Sequence, residues 1–153
     1  MQSRSRSMKL VMHLMVATLI SLTTWQCSLE KNHVVMEDVN TSGWDNAISL
    51  QYISDVTELR NLSITLRVRE SFEADKLAFD ITTMTSDSLR YNEQVILPVD
   101  FQWQGSVARS MEIELPYRRN VEISRNGEYI IRLRPLTPIK GVESAGINFK
   151  SMK

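Results

Sequence analysis

Cysteine is almost missing from this chain. Cys27 is the only one in 153 residues, beside two histidines, five glycines and four prolines. A lone cysteine cannot close an internal disulfide, so no disulfide framework holds the domain together. One of the two histidines, His13, lies in an apolar leader and the other, His33, in a polar stretch near it. That leaves no zinc site of the usual His/Cys kind and no Ser-His-Asp set within a folded region. The low glycine and proline content argues against a fibrous or disordered chain. An excess of one charge is lacking too, with 18 basic and 18 acidic residues. Without a basic stripe to displace counterions from phosphates, nucleic acid is not an expected partner. Finally, there is no apolar run of the roughly 20 residues that cross a bilayer as a helix.

What is present begins with a leader. Arg4, Arg6 and Lys9 form a positive start, and residues 10–22 form an apolar run broken only by His13, Thr18 and Ser21. A run of this length suits the core of a signal peptide, which sets residues 1–26 apart as a cleaved segment. Removing its three basic residues leaves the remainder about three charges negative. Cys27 follows directly, and that position points to lipidation. A thiolate is alkylated by diacylglycerol, and cleavage before Cys27 frees an amine for a further acyl chain of the palmitate type. Each buried methylene contributes about 0.8 kcal/mol, so two or three chains anchor the protein nearly permanently. The preceding Thr24-Trp25-Gln26 is bulkier than the usual small-residue pattern. Ser28 stands where an aspartate would signal inner-membrane retention, and residues 29–32 lack paired acids. Both features point to the outer membrane, facing the periplasm, as the location.

Residues 27–44 read as the lipidated N-terminus and a tether, whose one apolar cluster, Val34-Val35-Met36, could form a short first strand. Residues 45–153 alternate with period two, which in a strand sends successive side chains to opposite faces. Ile48, Leu50 and Tyr52 share one phase; Leu62, Ile64, Leu66 and Val68 share another, against Ser63, Thr65, Arg67 and Arg69. Leu77, Phe79 and Ile81 follow. A long run from Val95 to Trp103 contains Pro98, which predicts an edge strand or a bulge. Met111, Ile113 and Leu115, then Val121 and Ile123, then Tyr129, Ile131 and Leu133 continue the pattern. Asn126-Gly127 accepts positive φ at both central turn positions, which predicts a hairpin joining the strands on either side. Residues 146–149 close the chain. Seven or eight short strands and no helix predict an all-β fold, a single antiparallel sandwich of the immunoglobulin-like or jelly-roll-like kind.

Groups that could carry chemistry are few. Glu112 and Glu114 share a strand face about 7 Å apart, a spacing that paired carboxylates use in glycoside hydrolysis, although solvated acids commonly alternate this way. Asp80, Asp87 and Asp100 form no Ca²⁺ loop, so neither a metal nor a cofactor is expected. Arg125, Arg132 and Arg134 form a candidate partner-binding patch on the expected hairpin, with Arg118 and Arg119 nearby. Trp44 and Trp103 are candidates for stacking against a sugar, although core or rim packing also accounts for both.

Several segments resemble the gliding-motility lipoprotein GldH family of Bacteroidetes. They are Gly43-Trp44, Leu62-Ser63-Ile64-Thr65-Leu66-Arg67, Asp87-Ser88-Leu89, Gly127-Glu128-Tyr129-Ile130-Ile131-Arg132-Leu133-Arg134, and the closing Ile139-Lys140-Gly141-Val142-Glu143-Ser144-Ala145-Gly146-Ile147. The chain departs from the family in its residues before Cys27 and in lacking a methionine before the arginine of the Tyr129 strand. The resemblance implies a non-enzymatic envelope component held to the membrane by lipid and acting through contacts with other envelope proteins. It carries over no functional residue beyond Cys27. The alternative expectation is a carbohydrate-binding sandwich lipoprotein of a glycan-utilisation system.

Overall fold

The structure is a computed structural model that describes residues 32–103 and 109–152. The leader 1–26 and the lipidation site Cys27 lie outside the described residues. The described chain forms eight strands: β1 (His33–Asp38), β2 (Ile48–Ile53), β3 (Glu58–Val68), β4 (Lys76–Met84), β5 (Arg90–Pro98), β6 (Met111–Ile123), β7 (Glu128–Pro135) and β8 (Val142–Ser151). They make two four-stranded antiparallel sheets, ordered β1-β8-β3-β6 and β2-β7-β4-β5. This is the all-β sandwich that the alternation predicts.

The strand order chooses between the two expected architectures. β1 pairs with β8, β2 with β7, β3 with β6 and β4 with β5, so the chain is one long antiparallel ribbon rolled so that successive pairs alternate between sheets. Met36 faces Gly146, Leu50 faces Ile131, Ile64 faces Leu115 and Ile81 faces Glu93 along that ribbon. Rolling adds the lateral pairings of β3 with β8 and β4 with β7. This is the jelly roll. Its tip is the β4–β5 turn, where Thr85 N donates to Leu89 O over 3.0 Å and Ser88 takes a φ of 65°.

Three expectations are corrected. First, the sandwich begins before residue 45: the short strand allowed within the tether forms at His33–Asp38 and belongs to the domain as an edge strand, because Val34-Val35-Met36 finds ladder partners in β8. Second, the Asn126-Gly127 turn does not close a hairpin. β6 and β7 lie in different sheets, so the turn carries the chain across the sandwich. Only Asn126 has positive φ (57°), and Gly127 N bonds Ser124 O at 3.0 Å, a single tight turn without the double positive φ of a hairpin loop. Third, the run from Val95 to Trp103 ends as a strand at Pro98. Proline offers no ladder N–H, and β5 with Pro98 and β6 with Pro116 are sheet edges, whereas Pro135 is tolerated on the inner strand β7 because it is that strand's last residue.

Between the sheets lies one core. Ile64, Leu66, Val68, Phe79, Ile81, Leu133 and Ile147 are fully buried in it, and each sits at the apolar phase of its strand. Two glycines are set by close approach. At Gly146 a Cβ would stand 2.0 Å from Val35 O, so β1 can lie against β8 only if this position has no side chain. Gly141, at φ +78°, turns the chain into β8 where a Cβ would meet Phe72 N at 2.5 Å.

Candidate functional site

The tryptophans expected to stack on a ligand part company. Trp44 is 1% exposed. Its backbone bridges Ile139, its Nε1 donates to Asn46 O at 2.7 Å, and its ring lies 5.8 Å from that of Phe79. It is a core residue and presents no face to a sugar. Trp103 is half-buried beyond the end of β5, edge-on to Phe101 at 6.3 Å, and Phe101 in turn meets Phe72 at 6.4 Å. It keeps a partly open ring.

The paired acids on β6 are occupied. Glu114 accepts from Asn148 Nδ2 at 2.8 Å and pairs with Lys150, while Glu112 faces Arg67 at 4.0 Å. Both carboxylates are therefore engaged in contacts within their own sheet, and the pair lies on its outer face, with no cleft around it among the described residues to hold a substrate. Asp80 pairs with Arg134, Asp87 accepts from Thr85 at the β4–β5 tip, and Asp100 lies in the loop after β5. Among the described residues no group of three or more His, Cys, Asp or Glu side chains could hold a metal ion.

The arginines regroup. Arg125 sits in the turn between β6 and β7, where its backbone N donates to Thr57 Oγ1 at 2.9 Å. Arg118 and Arg119 are on β6, in the other sheet from Arg132 and Arg134. The expected single patch is therefore divided by the crossing of the chain. Arg132 and Arg134 remain together on the outer face of β7. There they join Arg90, at the start of β5, and Asp80 and Thr82 of β4 around a depression of about 220 Å³. Arg90 carries no signal in the sequence, because only the lateral pairing of β4 with both β5 and β7 brings it near.

A second cluster is equally invisible in the sequence. At the open side of the sandwich, where the edge strands β5 and β6 run along different sheets, Glu93 accepts from Arg118 Nη2 at 2.6 Å and Nε at 3.2 Å, and from the Tyr117 hydroxyl. The Arg118 guanidinium also lies 5.6 Å from the Tyr117 ring centre. Partial burial opposes the charge on Glu93, but the bonds from Arg118 and Tyr117 outweigh it and hold the carboxyl below its ordinary range. Burial first, and then the bond to Glu93, push the Tyr117 phenol up to about 12. Arg118 is raised by its bond to Glu93. The three groups clamp the two sheets at this side. On the opposite side an aromatic stack takes that role: His33 lies 5.0 Å from Tyr52, and Tyr52 stacks at 4.0 Å on Phe149.

Fold and surface together define a jelly-roll β-sandwich with a cationic depression on one outer face. No family model and no curated protein matches the chain. Among solved structures it is similar to a family 35 carbohydrate-binding module from an environmental isolate, at 11% identity over 77% of this chain and 79% of that one, with a TM-score of 0.33.

Proposed function

We propose that this chain is a non-enzymatic lipoprotein of the cell envelope, similar to the gliding-motility lipoprotein GldH, anchored through Cys27 and acting through contacts with other envelope proteins. The observation that carries the reading is the free edge of β5. Its outer ladder groups are unpaired among the described strands, and Tyr91 and Ile96 stand 55% and 71% exposed along it. An exposed edge with apolar side chains is a template for another chain, whose backbone bonds supply affinity and whose side chains supply selection. Anchoring at the outer membrane, on its periplasmic side, puts that edge within reach of membrane-associated assemblies.

The test has two parts. Replacing Cys27 with serine should release the chain from the membrane fraction and abolish palmitate labelling; a variant that stays in the membrane sinks the anchor. The wild-type chain, gently solubilised from its own cells, should bring down envelope proteins, and an Ile96→Asp variant should lose them. A chain that purifies alone sinks the contact reading.

One observation favours the second reading, a carbohydrate-binding lipoprotein: the partly open ring of Trp103. Glycan-array binding lost on Trp103→Ala would support it, and an array with no signal would end it.

A further inference from the structure

The depression on the outer face of the β2-β7-β4-β5 sheet is used by none of the contacts above. Register assembles it: Thr82 faces Arg132 and Asp80 faces Arg134 across the β4–β7 ladder, while Arg90 faces Met84 across the β4–β5 ladder. Arg90 and Arg132 thus reach in from the two sides of β4. Only one of the three guanidiniums is matched, Arg134 to Asp80 at 2.9 Å. Arg90 and Arg132 have no carboxylate partner among the described residues. Arginine stays charged and presents a rigid fork that suits a carboxylate, so two cations facing one concavity call for an anion between them.

The next step along the same ladder is apolar. Met84 faces Ile130, and both line the adjoining hollow, whose other walls are polar and include Glu128, hydrogen-bonded to Gln51; Met84 is 38% exposed. Aromatic rings, the usual platform for a sugar, are missing from this outer face among the described residues: Tyr52, Phe79 and Tyr129 are buried in the core, and the exposed Tyr91 pairs with Thr83 on the inward phase of β4 and β5. Cationic and aliphatic patches side by side match a peptide that alternates acidic and apolar side chains better than they match a glycan.

We propose that this depression docks an acidic segment of a partner protein, with a carboxylate held between Arg90 and Arg132 and an adjacent apolar side chain laid on Met84 and Ile130. The proposal rests on the reading of the chain as a protein-binding lipoprotein, and it adds the chemistry of the partner.

The test uses the full chain in nonionic detergent and a fluorescein-labelled peptide of alternating glutamate and leucine, followed by fluorescence anisotropy. Binding should weaken steeply with salt and fall about tenfold or more in the double variant Arg90→Gln, Arg132→Gln, since truncating close charge pairs costs this much or more. The double variant Arg119→Gln, Arg125→Gln removes the same charge elsewhere and should bind within about twofold of wild type. Thermal unfolding of both variants establishes that they fold. Equal binding of a glutamine-leucine peptide, or an equal loss in both double variants, overturns the proposal. So does polygalacturonate or a phosphatidylglycerol vesicle that binds through Arg90 and Arg132 where the peptide does not. An unchanged set of co-purifying envelope proteins with the Arg90/Arg132 variant overturns this site and leaves the protein-contact reading intact; a wild-type chain that purifies alone overturns that reading itself.

Discussion

The two sheets bury their inner faces alike and differ on their outer ones. On the β1-β8-β3-β6 sheet, small polar residues run down the centre of the outer face: Ser63, Thr65, Ser144 and Asn148 are each no more than 6% exposed. Longer side chains flank them in cross-strand pairs, Lys150 with Glu114, Arg67 with Glu112 and Arg69 with Glu143. On the β2-β7-β4-β5 sheet the corresponding positions are open, with Ser49, Gln51, Arg132 and Arg134 exposed and Thr82 half-buried. The first sheet pairs the charges that flank its buried polar centre and leaves its far end, at Leu59 and Glu122, open. The other leaves two guanidiniums unmatched at a depression. Charges paired across strands serve structure, and cations left unpaired around a concavity are available for a partner. Of the two outer faces, the second is therefore the one suited to binding.

The contrast can be broken at several points. The largest effect concerns the interior both sheets share. Trp44→Ala should cost about 3–5 kcal/mol, as large-to-small changes of buried aromatics do, measured by urea unfolding. A loss of ligand binding with stability unchanged would return Trp44 to the surface. Next is the attachment of β1 to the closed sheet. Gly146→Ala places a methyl against Val35 O, so it should destabilise by about 1–3 kcal/mol, the range for overpacking. Hydrogen exchange should show β1 amides losing protection ahead of those of β2.

The sharpest comparison is a matched pair of substitutions. Thr65 Oγ1 is buried and finds no hydrogen-bond partner among the described residues. Thr65→Val exchanges an unsatisfied hydroxyl for a methyl of the same shape and should stabilise by about 1 kcal/mol or more. Thr82→Val, on the open sheet, should change stability by less than about 0.5 kcal/mol. Equal effects at both sites would erase the distinction between the outer faces.

A smaller effect concerns the clamp. Glu93→Gln should cost about 1 kcal/mol at most, because Arg118 is half-exposed and screened. Its pH dependence has a definite sign. Glu93 is lowered in the folded state, so its contribution is present above the ordinary carboxylate pKa and is lost as pH falls through the lower folded value. Tyr117 is raised from 10 to about 12, so its contribution is present below 10 and is lost as pH rises through 12. The melting temperature of the wild type should fall at both extremes relative to that of a variant carrying both Glu93→Gln and Tyr117→Phe. Parallel profiles would show that Glu93 and Tyr117 do not clamp the sheets.

Much of the fold is legible in the sequence. Ile48, Leu50 and Tyr52 are buried on β2, with Ser49 and Gln51 exposed, as their alternation predicts. Pro98 marks an edge, as its missing N–H requires. The clearest strand pattern, around Leu62 to Val68, is only half reliable. Its apolar phase is inside as expected, but Ser63 and Thr65 on the other phase are buried as well. Hydropathy reports affinity for water, and it cannot report how closely neighbouring side chains crowd over a small hydroxyl. The site is less legible. Arg132 and Arg134 stay together because they lie two apart on one strand, whereas Arg125 falls outside the depression and Arg90 enters it.

The sequence by itself determined which phase of each strand is apolar, hence the all-β class and the inward set from Ile48 to Phe149. Alternation is a local property, readable within five or six residues. The tertiary structure alone decided which strands are neighbours. Asn126-Gly127 makes a turn either way, but whether the next strand pairs back or crosses to the other sheet depends on partners such as β2 and β4, far away along the chain. That choice rolls the ribbon into a jelly roll. It also places Arg90 beside Arg132, a juxtaposition that belongs to the pairing of strands and to no single segment of sequence.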